Sequence, residues 1–88
     1  MSMRVVGIET LKRFIATAED GAARDAERWV ADVSGMDWAG PADVLRTYPD
    51  AVQNGAEWTF PIKRSGIHIV TLIRFKAGTG IITVRGVQ

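Results

Sequence analysis

Five of the eleven basic residues of this chain and its single histidine lie in the C-terminal third, where no acidic residue occurs. All ten Asp and Glu residues lie between Glu9 and Glu57. The basic residues that follow are Lys63, Arg64, Arg74, Lys76 and Arg85, with His68 among them. A segment of this kind attracts anionic partners, and the main classes are nucleic acid and acidic protein surfaces.

The residue types that are missing restrict the possible chemistry. The chain has no cysteine and one histidine. It therefore has no disulfide, no thiolate nucleophile and no thiolate or histidine-rich metal site. We expect no metal and no other cofactor. Histidine is the side-chain type that most readily exchanges protons near neutral pH, so His68 is the natural candidate for an acid or base.

Length and composition predict one small domain that spans residues 1–88. The chain has 88 residues, of which 47% are hydrophobic and 24% are charged. This length allows one modest hydrophobic core. No apolar run approaches the roughly 18 to 20 residues of a membrane span, so we expect a cytoplasmic protein with no membrane partner.

The first half of the chain predicts one short strand and three helices. Residues 4–8 form a β-branched run that suggests an edge strand. Residues 10–18 and 22–34 have helical periodicity, and we expect Thr10 and Asp20 to be their N-caps. A third, short helix is expected to start at Pro41. Gly35 and Pro49 lie just beyond the predicted ends of the second and third helices, respectively. The third helix places Val44, Leu45 and Tyr48 on one apolar side.

After Asp50 the hydrophobic period changes to two, which predicts strands. These strands cover residues 57–63, 67–76 and 81–87. Pro61 cannot donate a hydrogen bond to a neighbouring strand, so the first of them is expected to lie partly at an edge or to contain a bulge. The predicted fold is α+β, with a three- to four-stranded, mostly antiparallel sheet and two to three helices packed on one face.

Strand alternation divides these residues between a core face and an open face. The side chains predicted to point towards the helices are Trp58, Phe60, Ile62, Ile67, Ile69, Thr71, Ile73, Phe75, Ile82 and Val84. Those predicted to point away are Lys63, His68, Val70, Leu72, Arg74, Lys76, Ile81, Thr83, Arg85 and Val87. We therefore expect a basic, acid-free open face. Val70 and Leu72 lie between its charges and are candidates for contacting a partner.

Several short motifs follow one another in an order and at spacings that resemble a known family. They are Leu11–Phe14, Trp29–Val33, Asp37-Trp38, Pro41–Val44, Tyr48–Ala51, Phe60–Ile62 and Ile69–Phe75. Together they resemble the HigB group of the RelE-like toxin superfamily. The resemblance implies a RelE-like fold and a ribosome-associated mRNA endonuclease of a toxin–antitoxin pair. Its expected partners are mRNA, the ribosome and a cognate antitoxin.

Metal-free RNA cleavage of this kind uses the 2′-hydroxyl of the RNA as the nucleophile, and the protein supplies a base, an acid and cations. Arg85 occupies the position of the family's last-strand arginine. Ile67-His68 replaces the family's Tyr-Arg pair, so we expect Arg85 and His68 as catalytic candidates. The residues expected to bind RNA or another partner are Lys63, Arg64, Arg74, Lys76, Val70 and Leu72.

Other polar and aromatic residues are assigned to structure. We expect Asp37 and Asp43 to be cap and surface residues, and Tyr48 to face the core. Trp29 and Trp58 are also core predictions, and Trp38 lies in a predicted loop.

The family's Thr-His-x-x-Tyr-Asp tail has no counterpart in these 88 residues. Two hypotheses of different class follow. One is an RNA endonuclease toxin, either active or with its catalysis impaired. The other is an inactivated toxin fold that binds a protein or nucleic acid as an inhibitor, for example a phage anti-CRISPR protein directed at a nucleoprotein defence complex. The sequence is equally compatible with a shortened form of a longer chain.

Overall fold

One strand, three helices and four further strands follow each other along the chain. The computed structural model describes residues 3–75 and 80–88. Its elements are β1 (Arg4–Val6), α1 (Ile8–Thr17), α2 (Asp20–Ser34), α3 (Pro41–Thr47), β2 (Val52–Asn54), β3 (Glu57–Ile62), β4 (Ile67–Arg74) and β5 (Ile81–Val87). The predicted α+β class is confirmed.

The strands form one mixed sheet in the order β1-β5-β4-β3-β2. β1 pairs with β5 in parallel, and the other three pairings are antiparallel. The prediction that residues 4–8 supply an edge strand is confirmed for β1. The predicted count of three to four strands is wrong, because the structure also contains β2. All three residues of β2 are exposed, so no alternating hydrophobic pattern marked this strand in the sequence.

The helices cover one face of the sheet and enclose an aromatic core. Trp58, Phe60, Ile69 and Ile73 are buried, as alternation predicts. Thr71 is also fully buried, and its hydroxyl donates a hydrogen bond of 3.0 Å to the Trp58 carbonyl oxygen. This bond satisfies a polar group that would be costly to bury alone.

Three residues from the helical half of the chain pack on the ring of Phe60. The ring centroid of Trp29 lies 5.4 Å from that of Phe60, and Tyr48 lies 5.3 Å from it. Trp38 lies in a loop and is 5% exposed, and its ring stacks on Phe60 at 6.3 Å. The side chain of Leu45, predicted to lie on the apolar side of α3, is 41% exposed.

Two helix starts differ from the sequence expectations. α1 begins at Ile8 with Gly7 as its N-cap residue, so Thr10 lies inside the helix and does not cap it. α2 begins at Asp20 with Glu19 as its N-cap residue. Neither cap residue makes a side-chain hydrogen bond to its helix. Gly7 has a positive φ of 78° and connects β1 directly to α1, which starts at the next residue, Ile8.

A β-bulge shifts the register between β4 and β5. Thr71 pairs with Val84 and Val70 pairs with Gly86, so Arg85 is the extra residue. Beyond the bulge, Val87 pairs with Ile69 and is partly buried against the core. The prediction that Val87 points away from the helices is therefore wrong. An inserted residue reverses the alternation of every residue that follows it.

Pro61 lies where strand β3 has only one neighbour. β2 pairs with residues 57–59 of β3, whereas Pro61 pairs only with His68 of β4. The prediction that this strand lies partly at an edge is confirmed. Proline has no amide proton to donate. Because β2 does not extend as far as Pro61, no hydrogen bond to a neighbouring strand is lost on that side of β3.

Gly7→Ala should destabilise the fold strongly, because a Cβ at this position would lie 2.6 Å from the Val84 carbonyl oxygen. Gly55→Ala is the matched control, since Gly55 also has a positive φ but open space around it. The left-handed conformation alone costs about 1–2 kcal/mol. We expect Gly7→Ala to lose roughly 3 kcal/mol or more once the steric conflict is added. Urea unfolding measures both losses, and equal values would contradict this account of the β1–α1 turn.

Candidate nucleic-acid interface

The sheet face opposite the helices carries outward side chains from all five strands. Cross-strand partners share a face, so the strand register shows which residues lie side by side. One row across the sheet contains Val6, Thr83, Leu72, Glu57 and Asn54. A second contains Arg4, Ile81 and Arg74, and a third contains Gly86, Val70, Thr59 and Val52. None of these residues is buried; we call this surface the open face.

Two arginines lie together at one end of the open face. Arg4 and Arg74 both pair with Ile81, from opposite sides, and both are exposed. Arg74 was predicted here. Arg4 was missed, although the parallel pairing of β1 with β5 gives it the same outward parity as Ile81. The sequence feature that could have identified Arg4 as a residue of this face was the edge strand predicted over residues 4–8, which contains it.

Arg85 lies further along the open face, at the bulge. It is exposed and follows Ile81 by four residues, which corresponds to roughly 13 Å along a strand. Positive charge is therefore spread over the length of the face. Val70 and Leu72, partly exposed, lie between the two ends as the sequence predicts.

His68 lies on the same face, near the end of β4 where Arg85 is found. Its side chain is exposed, and it pairs with Pro61 of β3. Its backbone N–H and C=O both bond to the backbone of Gln88, at 2.8 Å each. The two catalytic candidates, His68 and Arg85, therefore lie on neighbouring strands of one face. Their catalytic roles stay a prediction.

The expectation of an acid-free open face is wrong. Glu57, the first residue of β3, pairs with Leu72 and therefore points outward. It shares a cleft of about 310 Å³ with Val70, Arg85, Gly86, Val87 and Gln88. Glu57 is the last acidic residue before the acid-free segment of the sequence. Pairing of β3 with β4 nevertheless places Glu57 beside residues of that segment on the open face.

Lys63 and Arg64 do not belong to the open face, contrary to the expectation for Lys63. The chain turns after β3, where the amides of Ser65 and Gly66 both donate to the Ile62 carbonyl. Strand parity therefore ends before Lys63, whose Nζ lies 2.9 Å from an Asp50 carboxylate oxygen.

Both basic residues line a cleft of about 330 Å³ beside α2, together with the acidic residues Asp25, Asp32 and Asp50. Their charge is thus partly balanced by acidic neighbours. Lys76 lies outside the described residues.

Asp43 and Tyr48 have structural positions, as predicted. Asp43 accepts a 2.8 Å hydrogen bond from the backbone N–H of Ala39 and pairs with Arg46 at 3.2 Å. Tyr48 packs edge-on against Phe60 on the helix-covered side of the sheet. Burial, assisted by the Asp32 carboxylate, raises the pKa of Tyr48 to about 12. The phenol therefore does not complement His68 as a second acid–base group.

Among residues 3–75 and 80–88, no group of three or more His, Cys, Asp and Glu side chains is arranged to hold a metal ion. Within the same ranges, none of the helices combines the length and the apolar character that a membrane crossing requires. A comparison with models of known protein families finds none that matches this chain, and a comparison with curated proteins finds no significant match.

The position of Tyr48 predicts its titration. It is the only tyrosine, so absorbance at the phenolate band reports this group alone. We expect a midpoint near pH 12 rather than the ordinary value of 10.0. Because folding raises the pKa of Tyr48, the buried neutral phenol contributes fully to the stability of the folded protein below the unfolded-state pKa. This contribution is lost as the pH rises towards 12. A midpoint at the ordinary value in folded protein would contradict the buried position.

Proposed function

We propose that this protein is a HigB-like member of the RelE toxin superfamily that binds mRNA on the ribosome through the open face. The single observation that carries the proposal is the charge on that face. Among the described residues, three arginines and His68 share it with one acid, Glu57. The remaining acids of the described residues lie on or beside the helices, in α1–α3 and the segments that join them to β2, which are separate from the open face.

The residue types on this face favour contact with the RNA backbone. Arg4, Arg74 and Arg85 can each bind a phosphate through charge-assisted hydrogen bonds. No aromatic side chain of the described residues lies in the rows of the open face. Single-strand-binding proteins use stacking of bases on aromatic rings for affinity. We do not expect such stacking on the open face, and phosphate contacts therefore supply most of the binding energy.

The proposal includes metal-independent cleavage of the bound RNA. Arg85 stabilises the negative charge that develops on the phosphate, and His68 transfers a proton. A cognate antitoxin would neutralise the toxin, and acidic side chains on that partner would complement the arginines of the open face.

A second candidate function is supported by the apolar part of the open face. Val52 is 61% exposed, and its row continues through Thr59 to Val70. Exposed apolar residues beside charges are typical of protein contacts. In this alternative, an inactivated toxin fold binds a protein or nucleoprotein defence complex as an inhibitor, as an anti-CRISPR protein does.

Replacing Arg4, Arg74 and Arg85 together with alanine should weaken binding of a single-stranded RNA oligonucleotide by at least tenfold in moderate salt. Binding of the unmodified protein should fall steeply as salt rises, because each phosphate contact releases counterions. In the triple variant, the slope of log affinity against log salt should become shallower by about 2. Fluorescence anisotropy over a salt series measures both quantities.

The matched control replaces Arg13, Arg24 and Arg28 with alanine, since these arginines are exposed on α1 and α2. This variant has the same net charge as the first one. Equal losses in the two triple variants would show that net charge, and not the open face, determines binding. A flat salt response of the unmodified protein would favour the protein-binding alternative.

A further inference from the structure

A groove of about 330 Å³ lies between the first two helices, away from the open face. Only two residues join α1 to α2, and the two helices pack against each other. Residues spaced three or four apart share one side of a helix, and each helix contributes such a set to the groove. The lining residues are Ile8, Leu11, Lys12 and Ile15 on α1, and Glu27 and Val30 on α2. We call this surface the α1–α2 groove.

Four of the six lining residues are apolar, and three of these are incompletely covered. Leu11 is buried, with 1% of its surface exposed. Ile8, Ile15 and Val30 are only partly buried. An apolar strip that stays open on the surface of a small domain is typical of a contact with another protein.

One cation and one anion lie on opposite sides of this apolar strip. Lys12 belongs to α1 and Glu27 to α2, and both are exposed. Neither makes an ion pair with a residue of the described ranges. A strongly acidic or strongly basic partner would place a like charge against one of the two. A second copy of this chain avoids that conflict, because it presents the same groove with the same pair of opposite charges.

We propose that the protein forms a homodimer through the α1–α2 groove, in which Lys12 of each copy faces Glu27 of the other. In a two-fold symmetric dimer, the same surface of both copies forms the contact. A two-fold axis along the groove places α1 of one copy over α2 of the other. The two ion pairs then flank the apolar strips, which meet between them. This inference does not depend on RNA binding or on the proposed function.

The size of the groove predicts a weak dimer. Four apolar side chains are few beside the roughly 20 to 30 residues that each partner contributes to a standard interface. We therefore expect a dissociation constant of roughly 10 to 100 µM. The apolar contacts supply most of the affinity, and the two ion pairs determine the orientation of the copies. Because α1 and α2 lie on the helix-covered side of the sheet, the open face of each copy stays exposed.

The test is sedimentation velocity of the full chain over a concentration series in low salt. The weight-average mass should rise with concentration from the monomer value towards the dimer value. Lys12→Glu and Glu27→Lys each replace two attractive contacts with two repulsive ones, so either change should weaken the dimer by about tenfold. The double variant restores opposite charges and should dimerise within about threefold of the unmodified protein. High salt should reduce both single losses, because it screens the charges.

Arg13→Glu is the matched control for Lys12→Glu. Arg13 is the next residue of α1, is exposed and does not line the groove. Its replacement changes the net charge by the same amount, yet it should leave the dissociation constant unchanged. Since all three positions are exposed, circular dichroism and the urea midpoint should show that every variant is folded. An equal loss of dimer in Arg13→Glu would overturn the proposal, since net charge alone would then explain the effect.

Cross-linking identifies the surface of contact directly. The chain contains no cysteine, so an introduced cysteine is the only thiol that reacts with a short bifunctional maleimide. A mixture of Lys12→Cys and Glu27→Cys should yield more cross-linked dimer than a mixture of Arg13→Cys and Glu27→Cys.

Two further results would contradict the homodimer. A chain that stays monomeric at every concentration would overturn it and leave the groove to a different protein. A dimer that tolerates both charge reversals, or that cross-links equally well in the two mixtures, would show that the copies meet through another surface.

Discussion

The ring of Phe60 is the contact on which the arrangement of this protein depends. It lies on the core face of β3 and is fully buried. Its neighbours come from separate parts of the chain: Trp29 from α2, Trp38 from the loop before α3, Tyr48 from the residue after α3, and Trp58 from the same strand. Large aromatic contacts of this kind contribute both buried area and preferred geometry. They hold the second and third helical segments on one face of the sheet and leave the opposite face open.

The one-sided packing has a direct consequence for function. Residues that alternate with the core positions must point away from the helices, and in this chain they include Arg4, Arg74 and His68. The bulge at Arg85 then changes the spacing of the last strand. It keeps Val84 and Val87 against the core, with Arg85 exposed between them. A bulge is a common means of directing one side chain without disturbing the rest of a sheet.

Most of the fold could be predicted from hydrophobic periodicity. The helix predicted over residues 22–34, the core position of Trp29 and the alternation in β4 are all confirmed. Propensity and periodicity could not predict β2, whose residues are all exposed and whose pairing depends only on its neighbour β3. Helix starts were also misplaced, because Gly7 and Glu19 occupy the cap positions without the side-chain bonds that mark a typical N-cap.

The candidate site was predicted less completely than the fold. Alternation correctly placed His68, Val70, Leu72 and Arg74 on one face. It failed for Lys63 because the strand ends at Ile62. It failed for Val87 because the bulge at Arg85 was not predicted, although Gly86 inside the strand is a residue that often marks a bulge. Arg4 and Glu57 join the face only through pairing between strands that are distant in sequence. Such long-range register is not encoded in any local pattern.

The most direct test of RNA binding by the open face is a residue-by-residue map of the contact in solution. Backbone amide NMR spectra of the full chain would be recorded during titration with a non-cleavable single-stranded RNA oligonucleotide. We predict that the perturbed amides lie in β3, β4 and β5 around Glu57, Val70 and Arg85, with the exposed sides of α1 and α2 unchanged. Perturbations confined to those helices, or to the cleft beside Lys63 and Arg64, would contradict the assignment of the open face as the nucleic-acid interface.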